Sequence, residues 1–227
     1  MHISLHHQPG NTAARVLLAP GESCTTEAGA MIAMSAHMKL ETSTHKRGKG
    51  SIGRAVKRLL AGESLFLNHF YCEGTEGEVW LGTDLAGDMQ SLRLDEESLI
   101  VQGGSFLAAE SAVNIDMAWQ GFKSFFSGER IFWVKLEGTG NILLSSFGAI
   151  YPIDVDGEVI VDTGHIVAFE ETLDFSISKA GRSWIASFLG GEGLVCRFSG
   201  RGRVWCQSHN PGNFGAALSP GLKVRRA

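Results

Sequence analysis

At 227 residues, 44% hydrophobic and 19% charged, the chain can build one large all-β domain or two small ones, and its composition excludes wholesale disorder. A formal net charge of −4 provides no global attraction to nucleic acid or anionic lipid, so any such partner needs a local patch. No apolar run reaches the roughly 18 residues that span a bilayer. The longest, around Ile142 to Ile150, is interrupted by Ser145, Ser146 and Gly148.

Glycine is frequent (29) and proline scarce (5), a balance that suits tight hairpins and close-packed turns better than linkers. The four cysteines, Cys24, Cys72, Cys196 and Cys206, form no C-x-x-C, and the chain starts without a basic segment leading into an apolar one. Buried, reduced thiols in a cytoplasmic protein without a targeting segment are expected.

In chain order, Met1 to His7 reads as an edge strand with His2, Ser4 and His6 on one face and Ile3 and Leu5 on the other. His2 and His6 would sit about 13 Å apart along such a strand, too far to chelate one ion. No metal site, cofactor or catalytic residue is assigned. A strand at Val16 to Leu18, a turn at Pro20-Gly21-Glu22 and a second strand lead to Gly29.

From there the chain uses one pattern three times. Gly29-Ala30-Met31-Ile32-Ala33-Met34 corresponds to Gly104-Ser105-Phe106-Leu107-Ala108-Ala109 and to Gly164-His165-Ile166-Val167-Ala168-Phe169. Apolar positions follow in alternation at Met38 and Leu40, at Val113 and Ile115, and at Leu173 and Phe175. Each copy then reaches two large apolar residues, a small residue and Gly-Glu: Leu59 to Glu63, Phe125 to Glu129, and Phe188 to Glu192. Apolar residues before each Gly-Glu recur at helical spacing, and Gly62, Gly128 and Gly191 suit the left-handed position that ends a helix.

Glycine-turned hairpins are expected next. Their strands are Leu65 to Phe70 with Val79 to Leu81, Ile131 to Leu136 with Ile142 to Leu144, and Leu194 to Phe198 with Val204 to Cys206. Gly138-Thr139-Gly140 and Gly200-Arg201-Gly202 are read as two of the turns. A unit of this size cannot bury both sheet faces alone. Three units, about residues 15–85, 90–148 and 152–208, are therefore expected to pack around a pseudo-threefold axis as one domain over residues 1–210. Residues 211–227 read as a basic, flexible tail.

These copies carry a resemblance. Met31-Ile32-Ala33-Met34-Ser35, Leu60-Ala61-Gly62-Glu63-Ser64 and Gly77-Glu78-Val79-Trp80-Leu81 are similar to the bacterial branch of the altered-inheritance-of-mitochondria family. So are Phe126-Ser127-Gly128-Glu129, Leu144 to Ala149, Val161 to Ala168 and Gly190 to Phe198. The resemblance implies an all-β fold with short helices, double-stranded-β-helix-like and similar to the tryptophan RNA-binding attenuation protein. For function it implies an uncharacterised bacterial branch whose fungal relatives are linked to mitochondrial inner-membrane organisation.

Other features have bland and sharp readings. Gly29, Gly104 and Gly164, with Gly62, Gly128, Gly191 and their partners Glu63, Glu129 and Glu192, are assigned as repeat-equivalent structural positions. The sharp alternative gathers the three glutamates near the axis, where they would need a cation or protons. Asp162 beside His165 is half of an acid–base pair, but Ala30 and Ser105 occupy the His165 position in the other copies. Lys46, Arg47, Lys49, Arg54, Lys57 and Arg58 form a basic stretch with no acid between Glu41 and Glu63. A solvated loop and helix face is the plain reading. The alternative is a site for an anion, nucleic acid, small ligand or lipid headgroup.

The reading is a non-catalytic, cytoplasmic scaffold or interaction protein forming a homo-oligomer, with RNA or an anionic membrane surface as lesser partners. If the basic stretch binds anions, replacing Lys46, Arg47 and Lys49 by Ala will abolish retention on heparin or anionic liposomes. Unchanged retention removes that site.

Overall fold

The computed structural model describes residues 1–43, 66–116, 132–179 and 194–222. The three Gly-Glu segments and the whole basic stretch from Lys46 to Arg58 lie outside the described residues.

The first third holds β1 (His2–His6), β2 (Ala13–Leu18), β3 (Ser23–Glu27), β4 (Met31–Met34), β5 (Lys39–Ser43), β6 (Leu67–Tyr71) and β7 (Gly77–Leu81). The second holds β8 (Met89–Gln102), a 3-10 turn at Gly103–Ser105, β9 (Phe106–Glu110), β10 (Asn114–Asp116) and β11 (Trp133–Ser145). The last holds β12 (Ile150–Asp162), a 3-10 turn at Thr163–His165, β13 (Ile166–Glu170), β14 (Asp174–Lys179) and β15 (Leu194–Gln207), then helix α1 (Pro211–Leu218). The fold is all-β with short helices.

The expected hairpins in the second and third units do not form. β11 is one strand that runs antiparallel to β8 from Trp133↔Gln102 to Ser145↔Met89, and β15 likewise follows β12 along its length. Gly138 and Gly200, read from sequence as turn residues, lie inside these strands with φ +115° and +110°. A left-handed glycine bends a strand and shifts its register without reversing it, as the bulge at Gly138/Thr139 does. In the first third the corresponding ribbon is interrupted. Ala19-Pro20-Gly21-Glu22 separates β2 from β3, and β6 and β7 belong to different sheets. The two gaps still bond to each other through Gly21 N to Cys72 O (2.8 Å) and Cys72 N to Glu22 O (3.0 Å).

A shared register runs through all three thirds. Met31 faces Leu81 and Ala33 faces Trp80; Phe106 faces Leu144 and Ala108 faces Leu143; Ile166 faces Cys206 and Ala168 faces Trp205. One residue is skipped each time: Ile32, Leu107 or Val167, the third after the aligned glycine. Consecutive thirds are stitched by further antiparallel pairing. Thr25 lies opposite Ala109 at the first junction, and Ile100 opposite Phe169 at the second.

The buried side chains form three clusters rather than a single interior. One is built on the first third and takes in Met89, Leu107, Ala108 and Leu143 from the second. Another is built on the second third and takes in Leu67 from the first and Val167, Ala168 and Trp205 from the last. In the last third, Phe169 packs against Phe198, Phe175 and Trp133 with ring centroids 5.0, 5.2 and 5.6 Å apart, Trp133 and Ile100 joining from the second. The clusters interlock at both junctions because the linking strands bury both faces. Most alternating apolar positions read from sequence are buried, including Met38, Val113, Ile115 and Leu173, whereas Leu40 is exposed on the end strand β5.

β1 is an edge strand as its pattern predicts, paired among the described residues only with β2 in the order β1-β2-β7-β4. All four cysteines are buried and free, and burial pushes the Cys24 and Cys196 thiols up to about 12. The expected tail differs at its start. Asn210 caps α1 by accepting from the Asn213 amide at 3.1 Å, Pro211 sits in the first turn, and Phe214 stacks on Phe147 at 5.1 Å. Residues 223–227 lie outside the described residues.

Two substitutions test this packing. A Cβ at Gly87 would fall 1.7 Å from the Ser146 carbonyl oxygen, so Gly87→Ala should cost about 3 kcal/mol. A Cβ at Gly215, in α1, would meet nothing within 4 Å, and Gly215→Ala should gain about 0.5–1 kcal/mol. Urea denaturation reads both.

Candidate functional site

The aligned glycines come to comparable places but do different work. Gly29 holds φ +98° in the tight turn between β3 and β4. At Gly164 a Cβ would lie 2.1 Å from Asn210 Nδ2, so the glycine there permits close packing. Gly104 lines a cavity of about 380 Å³ at the ends of the strands. That cavity is walled by the Glu27–Ala30 turn, by Thr83 and Asp84 after β7, by Gln102 and Ser105, by the end of β11, and by Gln207 of β15.

Most of its polar lining is already engaged. Gln207 accepts from the Phe147 amide at 2.8 Å and donates to the Gly164 carbonyl at 3.0 Å. Ser146 Oγ reaches the Gly148 carbonyl at 2.8 Å. Ser105 Oγ donates to Gln102 Oε1 at 3.4 Å. Glu27 stands apart: burial, and then the negative charge of Asp84, push its carboxyl up to about 7. Its position in the cavity wall therefore favours the neutral carboxyl. Sequence reading missed Glu27, although a polar residue recurs two positions before each aligned glycine, as Glu27, Gln102 and Asp162.

The Asp162–His165 pair does not work as one. Asp162 Oδ1 accepts from the Gly164 amide at 2.7 Å and caps the 3-10 turn. His165 Nδ1 donates to the Gln207 carbonyl at 2.8 Å, which fixes its tautomer. A second histidine, unnoticed in the sequence, is buried: His69 bridges Thr25 Oγ1 (2.9 Å, through Nδ1) and Ser43 Oγ (2.8 Å, through Nε2). This chain of bonds ties β3, β6 and β5 together. Among the described residues, no three His, Cys, Asp or Glu side chains are placed to hold a metal ion.

The other unusual surface is a pair of strand edges. The outward row of β12 is Asp154, Asp156, Glu158 and then Ile160. The acids pair with Arg203 (3.0 Å), Arg201 (3.2 Å) and Arg197 (2.8 Å) of β15. These exposed pairs add little stability but keep that face hydrophilic up to its last position. There Ile160 is 54% exposed, while its counterpart Ile100 is fully buried. β4 shows the same contrast, with Ile32 61% exposed against 1% for Leu107 and 0% for Val167.

Glu27 carries a pH signature. Its folded pKa lies above the ordinary carboxylate value of 4.5, so its contribution to stability is complete below about pH 4.5 and is lost as pH rises through about 7. The loss should be about 2 kcal/mol between pH 5 and 8. Glu27→Gln should flatten that slope in urea melts taken across the range.

Comparison with known proteins accords with this architecture. The family model described as "Mitochondrial biogenesis AIM24" matches residues 3–209. An uncharacterised protein of Streptococcus pyogenes serotype M6 is 30% identical over 204 residues, covering 87% of this chain and 82% of that protein. The crystal structure of a Streptococcus pyogenes protein superposes with a TM-score of 0.81 at 26% identity, covering 97% of this chain and 99% of that one. With a family model spanning nearly all of its length, the chain belongs to the mitochondrial biogenesis AIM24 family.

Proposed function

We propose that this chain is a non-catalytic scaffold or interaction protein that assembles with itself. Its body is read as three pseudo-equivalent repeats about a pseudo-threefold axis, in the double-stranded-β-helix manner of the tryptophan RNA-binding attenuation protein. Support for the repeats comes from the skipped residue at Ile32, Leu107 and Val167, which recurs at one offset in three paired ladders.

The observation that carries self-assembly is apolar exposure on two strand edges whose counterparts in the other thirds are covered. Met31, Ile32 and Ile160 stand out on a body whose equivalent positions are buried. Exposed apolar strand edges are templates for another strand, and a protein that keeps them has a use for them. The polar groups of the cavity serve the backbone more than they converge on a substrate, which also favours binding over catalysis. The proposal places the protein in the cytoplasm. It extends to work beside a membrane, and that part rests on the resemblance to the fungal relatives alone.

Sedimentation equilibrium or light scattering of the purified full chain should report a discrete assembly of two or more copies. A strict monomer at high micromolar concentration would sink the reading.

A further inference from the structure

Two junctions join the three thirds, and both use one register. Counted from the aligned glycine, the residue three positions before it in one third faces the residue four positions after it in the next. Thr26 thus faces Ala108, and Val101 faces Ala168. The following pairs step outward in the same way, Thr25↔Ala109 and Ile100↔Phe169, then Cys24↔Glu110 and Leu99↔Glu170. Applied once more, the rule pairs Val161 with Ala33, Ile160 with Met34, and Val159 with Ser35. Among the described residues that ladder is not made. β12 ends the large sheet in the order β12-β15-β13, and β4 ends the small one.

Packing tells the same story as pairing. At both internal junctions residues of each third enter the neighbour's core: Leu67 and Trp133 pass forward, and Leu107, Ala108, Val167 and Ala168 pass back. Among the described residues, the cluster of the last third takes nothing from the first, and that of the first takes nothing from the last. The chain therefore carries both halves of a junction it knows how to make. One half is Met31–Met34 with its exposed Met31 and Ile32, and the other is the Ile160 end of β12.

We infer that these halves meet between molecules: β4 of one copy adds antiparallel to the Val159–Val161 edge of β12 in a second copy, in the register of the internal junctions. The inference rests on the self-assembly reading and names its interface. A second copy is the fitting occupant because it presents the complementary strand with side chains of the right size. Ile160 would take the buried place that Ile100 fills, and Ile32 the place of Leu107 and Val167. The contact is heterologous, head to tail, so each copy offers one free edge of each kind. Main-chain hydrogen bonds supply most of the affinity, and the apolar side chains set the register.

The test uses Ile32→Lys and Ile160→Lys, both at positions more than half exposed, with Ile32→Thr and Ile160→Thr as milder versions and melting curves to check folding. By multi-angle light scattering, each lysine variant should weaken self-association by about 10-fold or more. An equimolar mixture of the two should form a capped two-copy complex, because one good β4 and one good β12 remain. Amides of 31–35 and 159–161 should gain protection from hydrogen exchange as protein concentration rises.

A wild-type assembly unmoved by either variant overturns this interface and leaves self-assembly standing. A β4-to-β4 contact is revealed if Ile160→Lys alone still pairs fully, and it also overturns the interface. Monomeric wild type, with protection at both edges independent of concentration, means the chain closes on itself, and both readings fall.

Discussion

The structure depends on backbone pairing between strands that are buried on both faces. At Ile100 and Phe169 the partner strands come from consecutive thirds, and neither side chain retains measurable exposure. A strand in that position must satisfy its amides and carbonyls on two sides and its side chains on two faces. Only a neighbour of the right register supplies all four. The junction thus sets where each third sits, which residues its core can recruit, and where an unfilled edge will show.

The same constraint explains why polar and apolar features separate along one strand. In β12 the stretch facing water carries Asp154, Asp156 and Glu158, each matched by an arginine of β15. Beyond it, where the other thirds have a junction, the row changes to Ile160. Surface ion pairs of this kind keep strands from sticking and contribute little else. Their stopping one position short of the apolar residue marks the boundary between a blunted edge and an edge left open.

Much of the architecture could be read from residue spacing. The small Ala33, Ala108 and Ala168 occupy corresponding places in the ladders, and Leu40, Ile115 and Phe175 pair in turn with Phe70, Leu136 and Phe198. The burial of the four thiols followed from composition. Misreading began at glycine. Gly138 and Gly200 supply positive φ, which serves a hairpin turn and a bent strand equally well. Local preference does not distinguish them, because the choice depends on whether an equally long partner lies alongside. The helix at Pro211 was hidden for a related reason, its stability drawing on the Asn210 cap and the contact with Phe147.

The site was less legible than the fold. The Glu27 carboxyl is raised by burial and by Asp84, and Asp84 lies far from it in the chain. Asp162 and His165, adjacent on paper, turn to separate backbone partners. Residue order alone determined an all-β body with buried thiols, since periodicity and spacing are local properties that survive without coordinates. Tertiary structure alone decided which recurring positions are covered and which are bare. Ile32 and Leu107 are alike in sequence context, and only the presence or absence of a paired neighbour makes one a surface residue and the other core.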